Sequence, residues 1–549
     1  MQSLTKMLLL GILIIILSIN IIHASGVNKE ELPVKLQLTK QLLTKPREGK
    51  GDQRPNIVFV ICDAMDGRLV GRDDLLQMPN INNLAKNGVN FINAYTNSPI
   101  CCPSRSALWS GRHTHITESW NNYKGLSKDY PTWAVLLEQA GYNTKIYGKT
   151  DYVSGSHSLS NRMEAWTRNV NFTLAQEGHP TPVLFGNEST TNVSTDWLLL
   201  PSITRWIQTN ASKSSQPFLL YVGFTLPHPY NTPSSGKAAG GSTFKTSPYW
   251  LKKVNQSAVT IPKWIPLDQM HPVDYYETAT KNCTSDFTTD EIHKIRAYYY
   301  AMCAETDAMF GVILDALKSN NLLQDSYVFF TADHGDLAME HRQFYKMSMY
   351  EGSSHVPMVA MAPQRDNLKP GVVTTPVSLV DVFPTFMDIA NVTHPQGLNG
   401  TSLLPLLQDP TSRHQSQDRP DYILSQYHGC NVNMSSYMLR QGDWKIVVYG
   451  DGKTTPPHLF NLATDPEELD DLVNKEPGKV KEMEQLLASI MDYPAVTTKV
   501  QDYNKQSFTE WKKSVGDKYS NKLANLRWWK DWQKAPKEYE KKIDEWLNS

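Results

Sequence analysis

Several short runs of β-branched and aromatic residues, each apolar from end to end and each followed by a knot of polar side chains, constrain this chain more than any other feature. Asn56 to Asp63 reads NIVFVICD, Phe218 to Phe224 reads FLLYVGF and Tyr327 to Thr331 reads YVFFT. Tyr142 to Tyr147 and Val356 to Met361 repeat the pattern, with helical periodicity between them. A strand that is apolar without alternation is buried on both faces, the condition of a parallel sheet covered by helices. The predicted fold class is α/β and doubly wound, a large, mixed, mostly parallel sheet sandwiched by helices. The knots CDAMD, YGKTD, TLPHP and TADHGD follow these runs. Loops at the carboxyl ends of parallel strands converge over one crevice, so the four are expected to share a site.

The flanks read differently. Residues 1–25 carry Lys6, an apolar run from Met7 to Ile22, then Ala24 and Ser25, the layout of a secretory signal rather than of a retained anchor. A polar, Lys-rich lead covers 26–54, the catalytic domain is expected over 55–420, and a smaller α+β subdomain over 421–549 begins with YILSQY and DWKIVVY. Its Trp-rich tail has helical spacing and is expected to pack rather than to bind sugar. With 54 basic against 55 acidic side chains, the net charge of −1 argues against a nucleic-acid binder and against disorder. No stretch beyond the leader reaches the roughly 18 apolar residues of a membrane span. Nine sequons (Asn171, Asn187, Asn192, Asn210, Asn255, Asn282, Asn391, Asn399 and Asn433) are open to glycosylation on the secretory route. Six cysteines, none in a CxxC pair, are too few for a disulfide scaffold and argue against a structural zinc site.

Two of those cysteines open the sharpest motif, Cys101-Cys102-Pro103-Ser104-Arg105, extended by Leu108, Ser110 and Gly111. Asp63 ends the first apolar run, and Asp333 with His334 ends the YVFFT run; carboxylates at neighbouring strand ends form an oxygen-rich pocket for a hard divalent cation. Lys149 in GKTD, His228 in LPHPY, and His341 and Lys346 in MEHRQFYKMSMYEG follow strands or lie beside such loops. Cations converging from several loops suit a spread-out anion, and a histidine can protonate a leaving oxygen.

These motifs resemble those of the type I sulfatases of the alkaline phosphatase superfamily, over Asn56 to about Leu472. Longer segments, NAYTNSPICCPSR, TESWNNYKGL, MHPVDYY, AMCAETDAM and HGCNVNMSSYMLR, narrow the resemblance to one subfamily. It implies that Cys101 is oxidised to formylglycine by a formylglycine-generating enzyme, giving a hydrated aldehyde with one hydroxyl to attack sulfur and a second to release sulfate. It further implies calcium held by Asp63, Asp333, His334 and residue 101, with Arg105, Lys149, His228, His341 and Lys346 around the anion. His271, in MHPVDYY, is a candidate substrate contact. The implied substrates are aryl sulfates and sulfated glycosaminoglycan oligosaccharides, with the 2-sulfate of glucuronate in heparan-type chains as the target, and the implied compartment is the lysosome, with secretion as a second destination.

Two departures bear on the site. Where many sulfatases pair two acids after the first strand, Asp63 is followed by Ala64, so either calcium has one carboxylate fewer or Asp66 compensates. The family's GKxH is Lys149-Thr150-Asp151 here, leaving Asp151 either to accept a hydrogen bond from the nucleophile or to read a different sugar. Two other functions fit the motifs: a formylglycine-dependent phosphodiesterase or phosphonate hydrolase, and a catalytically silent glycoprotein that binds sulfated glycans.

Overall fold

The computed structural model describes residues 54–157, 178–231, 242–366, 368–411, 419–429, 434–523 and 529–549. The expected leader and most of the polar lead, the sequons Asn171 and Asn433, and Cys430 lie outside them. Seven strands form the main sheet: β1 (Asn56–Asp63), β2 (Val89–Phe91), β3 (Asn143–Gly148), β4 (Phe218–Pro227), β5 (Ser326–Ala332), β6 (Met358–Met361) and β7 (Gly371–Val373). Their order is β7-β2-β6-β5-β1-β4-β3. β3, β4, β1 and β5 are mutually parallel, and β6 runs against its neighbours β5 and β2.

Burial on both faces explains the apolar runs of β1, β4 and β5, whereas β3, in the run Tyr142 to Tyr147 that reads YNTKIY, lies at the sheet edge and is only partly buried. From one face Phe59, Tyr221 and Phe329 meet Trp133 of the helix Trp133–Gln139 and Phe386 of the helix Val382–Ile389. From the other, Phe330 meets Phe310 of the 31-residue helix Thr289–Ser319 at 5.0 Å between centroids. Thr288 and Glu291 close a capping box at the start of that helix, satisfying two of its orphan amides.

Beyond residue 421 lies a second, antiparallel sheet: β8 (Tyr422–Tyr427), β9 (Ser436–Gln441), β10 (Trp444–Tyr449) and β11 (His458–Asn461), in that order. One face packs Leu439, Ile446 and Leu459 against Met483 and Leu487 of the helix Pro477–Ile490. The tail is helical, and Phe508, Trp511, Leu523, Tyr539, Ile543 and Trp546 form a small core of their own. This sheet belongs to the same compact unit as the main one. A fully buried Lys445 from β10 joins the two, pairing with Glu351 at 2.9 Å and with Glu468 at 2.7 Å. No helix among the described residues is long and apolar enough to cross a membrane.

Candidate active site

Register builds the site. In β1 and β5, Cys62 lies opposite Ala332, so the next residues, Asp63 and Asp333, leave the sheet side by side. The chain turns left-handed at Ala64, with φ of 69°, and the Ala64 amide donates to Asp333 Oδ1 at 3.3 Å. Cys101 is the first residue of α1 (Cys101–Ser110), whose positive end therefore lies beneath it. Asn122 Oδ1 accepts from the Cys102 amide at 3.1 Å, and Ser104 Oγ donates to Asp333 O at 2.6 Å, fixing the helix against β5.

Cys101 Sγ is 3.6 Å from Asp63 Oδ2 and 3.4 Å from His334 Nε2. One ligand atom from each of Asp63, Cys101, Asp333 and His334 lies within 4.8 Å of every other, and all four residues are buried. Arg105, wholly buried, donates from Nε to Asp333 Oδ2 at 2.8 Å and from Nη1 to Lys149 O at 3.0 Å. Its Nη2, 3.8 Å from Asp63 Oδ2, makes no hydrogen bond to the described residues. Lys149 Nζ donates to Asp63 Oδ2 and lies 3.0 Å from Asp151 Oδ2. From the opposite loop Lys346 Nζ donates to His228 Nε2, while His228 Nδ1 donates to Pro229 O at 2.7 Å.

These neighbours set the protonation states. Burial raises the Asp63 pKa, but the ammonium groups of Lys149 and then Lys346 outweigh it and hold the carboxyl well below its ordinary value. Burial and the Asp63 carboxylate push the Cys101 thiol up to about 12, so the unmodified side chain is not a thiolate at neutral pH. His228 is held well below 6.5 by burial and by Lys346, and burial takes His334 down to about 4; both rings are neutral.

The structure departs from the sequence expectations at two histidines. His341 lies apart from the Cys101 cluster: its ring stacks on Tyr350 with centroids 3.5 Å apart and planes within 5°. Its left-handed backbone, φ of 51°, turns the ring towards Asp274 and Glu340. His271 is likewise remote, at the start of the helix Pro272–Thr280 against Tyr449 and His458. Both its nitrogens are engaged, Nε2 with Pro456 O at 3.0 Å and Nδ1 with the Val273 amide at 3.2 Å. His271, Asp274 and His458 also sit at metal-ligand spacing. However, His458 spends Nδ1 on Asp471 and Nε2 on Asp274, so the cluster is an ion-pair network, with no nitrogen left for a metal.

As for the missing acid, Asp66 does not join the Cys101 cluster: Arg68 donates to it from Nε at 3.0 Å and from Nη2 at 2.7 Å. Sequence reasoning passed over Tyr221, whose hydroxyl donates to Lys149 O at 2.7 Å and accepts from Arg105 Nη1 at 3.1 Å. It also passed over Gly223, where a Cβ would lie 2.0 Å from Lys149 O. Neither carries a local signal, since each acts from the middle of an apolar strand.

The family model described as "Sulfatase" matches residues 55–392, and one described as "N-sulphoglucosamine sulphohydrolase, C-terminal" matches 339–493. Arylsulfatase K of Gallus gallus is 52% identical over 508 residues, 92% of this chain and 95% of that protein. Arylsulfatase K of Homo sapiens is 52% identical over 513 residues, 91% of this chain and 95% of that protein. Among solved structures, the phosphonate monoester hydrolase of Agrobacterium radiobacter superposes with a TM-score of 0.62 at 20% identity, covering 79% of this chain and 95% of that one. A 2-O GAG sulfatase superposes with a TM-score of 0.61 at 21% identity, covering 80% and 92%. With more than half of its length matched by the first model, and with relatives at this identity spanning nine-tenths of it, the chain belongs to the sulfatase family of hydrolases.

Proposed function

We propose that the chain removes sulfate from glycosaminoglycan sugars, with the 2-sulfate of glucuronate in heparan-type chains as its target, and that it also hydrolyses aryl sulfates. The observation that carries this reading is the convergence of Cys101, Asp63, Asp333 and His334 among the cations of Arg105, Lys149 and Lys346. The two carboxylates suit calcium; the imidazole of His334 is a softer ligand than so hard an ion prefers and a thiol a poor one, and residue 101 becomes a hard oxygen ligand only after conversion to formylglycine. Calcium supplies an electrostatic pull on sulfate oxygens, and formylglycine supplies a hydrated aldehyde as nucleophile.

The other residues then have defined tasks. Arg105 Nη2, buried and without a hydrogen bond among the described residues, is an orphan donor that a sulfate oxygen satisfies. Lys149 and Lys346 flank the anion, and the Lys346 ammonium, shared with His228 Nε2, is the proton source for the departing sugar oxygen. The solved neighbours include a 2-O GAG sulfatase and a protein bound to its substrate D-glucosamine-2-N,6-O-disulfate, which supports a sugar sulfate as substrate here. The leader-like start and the exposed sequons Asn187, Asn192, Asn210, Asn255, Asn391 and Asn399 support passage through the secretory route to an acidic compartment.

Mass spectrometry of the peptide containing residue 101, from chain produced with a formylglycine-generating enzyme, tests the reading, together with turnover of an aryl sulfate against an aryl phosphodiester. Formylglycine and preference for the sulfate are expected. Preference for the phosphoester would establish the second reading, which the shared fold with phosphonate monoester hydrolases favours. Unmodified thiol without turnover would leave a sulfated-glycan binder.

A further inference from the structure

Exposure rises from the nucleophile along the strip that begins at Lys149. The side chains of Asp63, Arg105, Asp333 and His334 are 0% exposed. Lys149 reaches 16%, Asp151 21% and His157 18%. A sulfate ester bound with its sulfur at residue 101 must carry its alcohol portion towards solvent, which sets the sugar at the rim between the half-buried His228 and this last group of side chains.

Asp151 is built into that position. Its backbone is left-handed, with φ of 44°, a conformation a non-glycine residue keeps only when its surroundings hold it there. The following strip is clamped to the loop that also holds Cys102: the Leu126 amide donates to Tyr152 O at 2.8 Å, Ser154 to Leu126 O at 2.9 Å and Gly155 to Tyr123 O at 2.9 Å. A single oxygen of Asp151, Oδ2, faces both neighbours, Lys149 Nζ at 3.0 Å and His157 Nε2 at 2.9 Å. Oδ1 receives no hydrogen bond from the described residues, and the carboxylate is partly exposed, so a charged acceptor is presented at the opening.

Resting on the sulfatase reading above, we propose that Asp151, oriented by His157, selects the sugar that carries the sulfate. Its Oδ1 accepts a hydrogen bond from the hydroxyl vicinal to the ester. His157 is a positioning residue: by holding Oδ2 it fixes the carboxylate plane and so the direction of Oδ1. An aryl sulfate without a neighbouring hydroxyl gains nothing from this contact, and an analogue lacking the hydroxyl leaves the acceptor unpaired.

The test is a cycle in which one change is made on the protein and the other on the substrate. kcat/KM is measured for a 2-O-sulfated uronic-acid disaccharide, for the same disaccharide with the vicinal hydroxyl replaced by hydrogen, and for 4-nitrophenyl sulfate. The wild-type chain is expected to prefer the hydroxylated disaccharide by about ten- to a hundred-fold, the range for a hydrogen bond to a charged acceptor. Asp151→Ala is expected to erase that ratio, and His157→Ala to reduce it part-way. Equal rates on the two disaccharides in the wild-type chain overturn the proposal without any variant needing to fold. So does a ratio that survives Asp151→Ala, or a loss of the same factor on all three substrates, which would mean that Asp151 only steadies Lys149. Turnover of 4-nitrophenyl sulfate with no discrimination between disaccharides removes the subsite and leaves the sulfatase reading standing; turnover of none of the three removes both.

Discussion

Replacing His458 by alanine should destabilise the protein in acid far more than in alkali. His458, on β11, lies between two carboxylates, Asp471 Oδ2 at 2.8 Å from Nδ1 and Asp274 Oδ2 at 3.0 Å from Nε2, so both ring nitrogens carry protons. Burial opposes that charge, but Asp274 and then Asp471 outweigh it and lift the ring from 6.5 to about 10. A group whose folded pKa is raised stabilises fully below its unfolded pKa, and the contribution is lost as pH climbs through the folded one. The interval from 6.5 to about 10 corresponds to roughly 5 kcal/mol. Seen from Asp274, which the ring and Tyr350 hold at about 2 against burial, it is roughly 2 to 3 kcal/mol. The two describe one interaction and are not added. The ring answers to two carboxylates and Asp274 to a single imidazolium, so the contribution lies between about 2 and 5 kcal/mol, in keeping with about 3–5 for breaking a buried pair. Urea unfolding followed by tryptophan fluorescence, for wild type and His458→Ala at about pH 5.5 and about pH 10.5, measures it. A gap of several kcal/mol at the lower pH that narrows at the higher one is expected. The same gap at both would refute the charged triad.

Other outcomes follow from the site. Cys101→Ala, and Cys101→Ser where serine is not converted, should abolish aryl sulfate turnover while the unfolding free energy changes by no more than about 1 kcal/mol; activity near wild type would contradict a covalent mechanism. Gly223→Ala drives a methyl into Lys149 O and should lower kcat/KM by about a hundred-fold through a displaced Lys149; unchanged kinetics would show that the strand end is free to yield. Chelation and dialysis should remove turnover, and calcium should restore it; full activity in the dialysed protein would exclude a metal at Asp63, Asp333 and His334.

The sheet centre was legible because burial on both faces leaves a strand no room for polar residues. Asp63, Asp333 and His334 were legible as a group because parallel register carries adjacent strand ends to one place. The antiparallel course of β6 was not: Met358 to Met361 is as apolar as its parallel neighbours, and direction leaves no mark on composition. Nor were β9 and β11 separable from the polar residues around them. His341 misled for a backbone reason. Ala338, Met339, His341, Arg342, Tyr345 and Met347 all take positive φ, in a segment with no glycine between Gly335 and Gly352 to announce it. A loop of ordinary conformation would have aimed those side chains differently, so Lys346 arrives at the site and His341 is turned away.

The sealed position of Cys101, 2% exposed beneath Asp63 and His334, also fixes an order of events. On the reading proposed above, an enzyme that oxidises this sulfur must reach it, and the finished fold leaves little of it exposed. Conversion would then come before the fold closes, and a copy that closes first would keep its thiol.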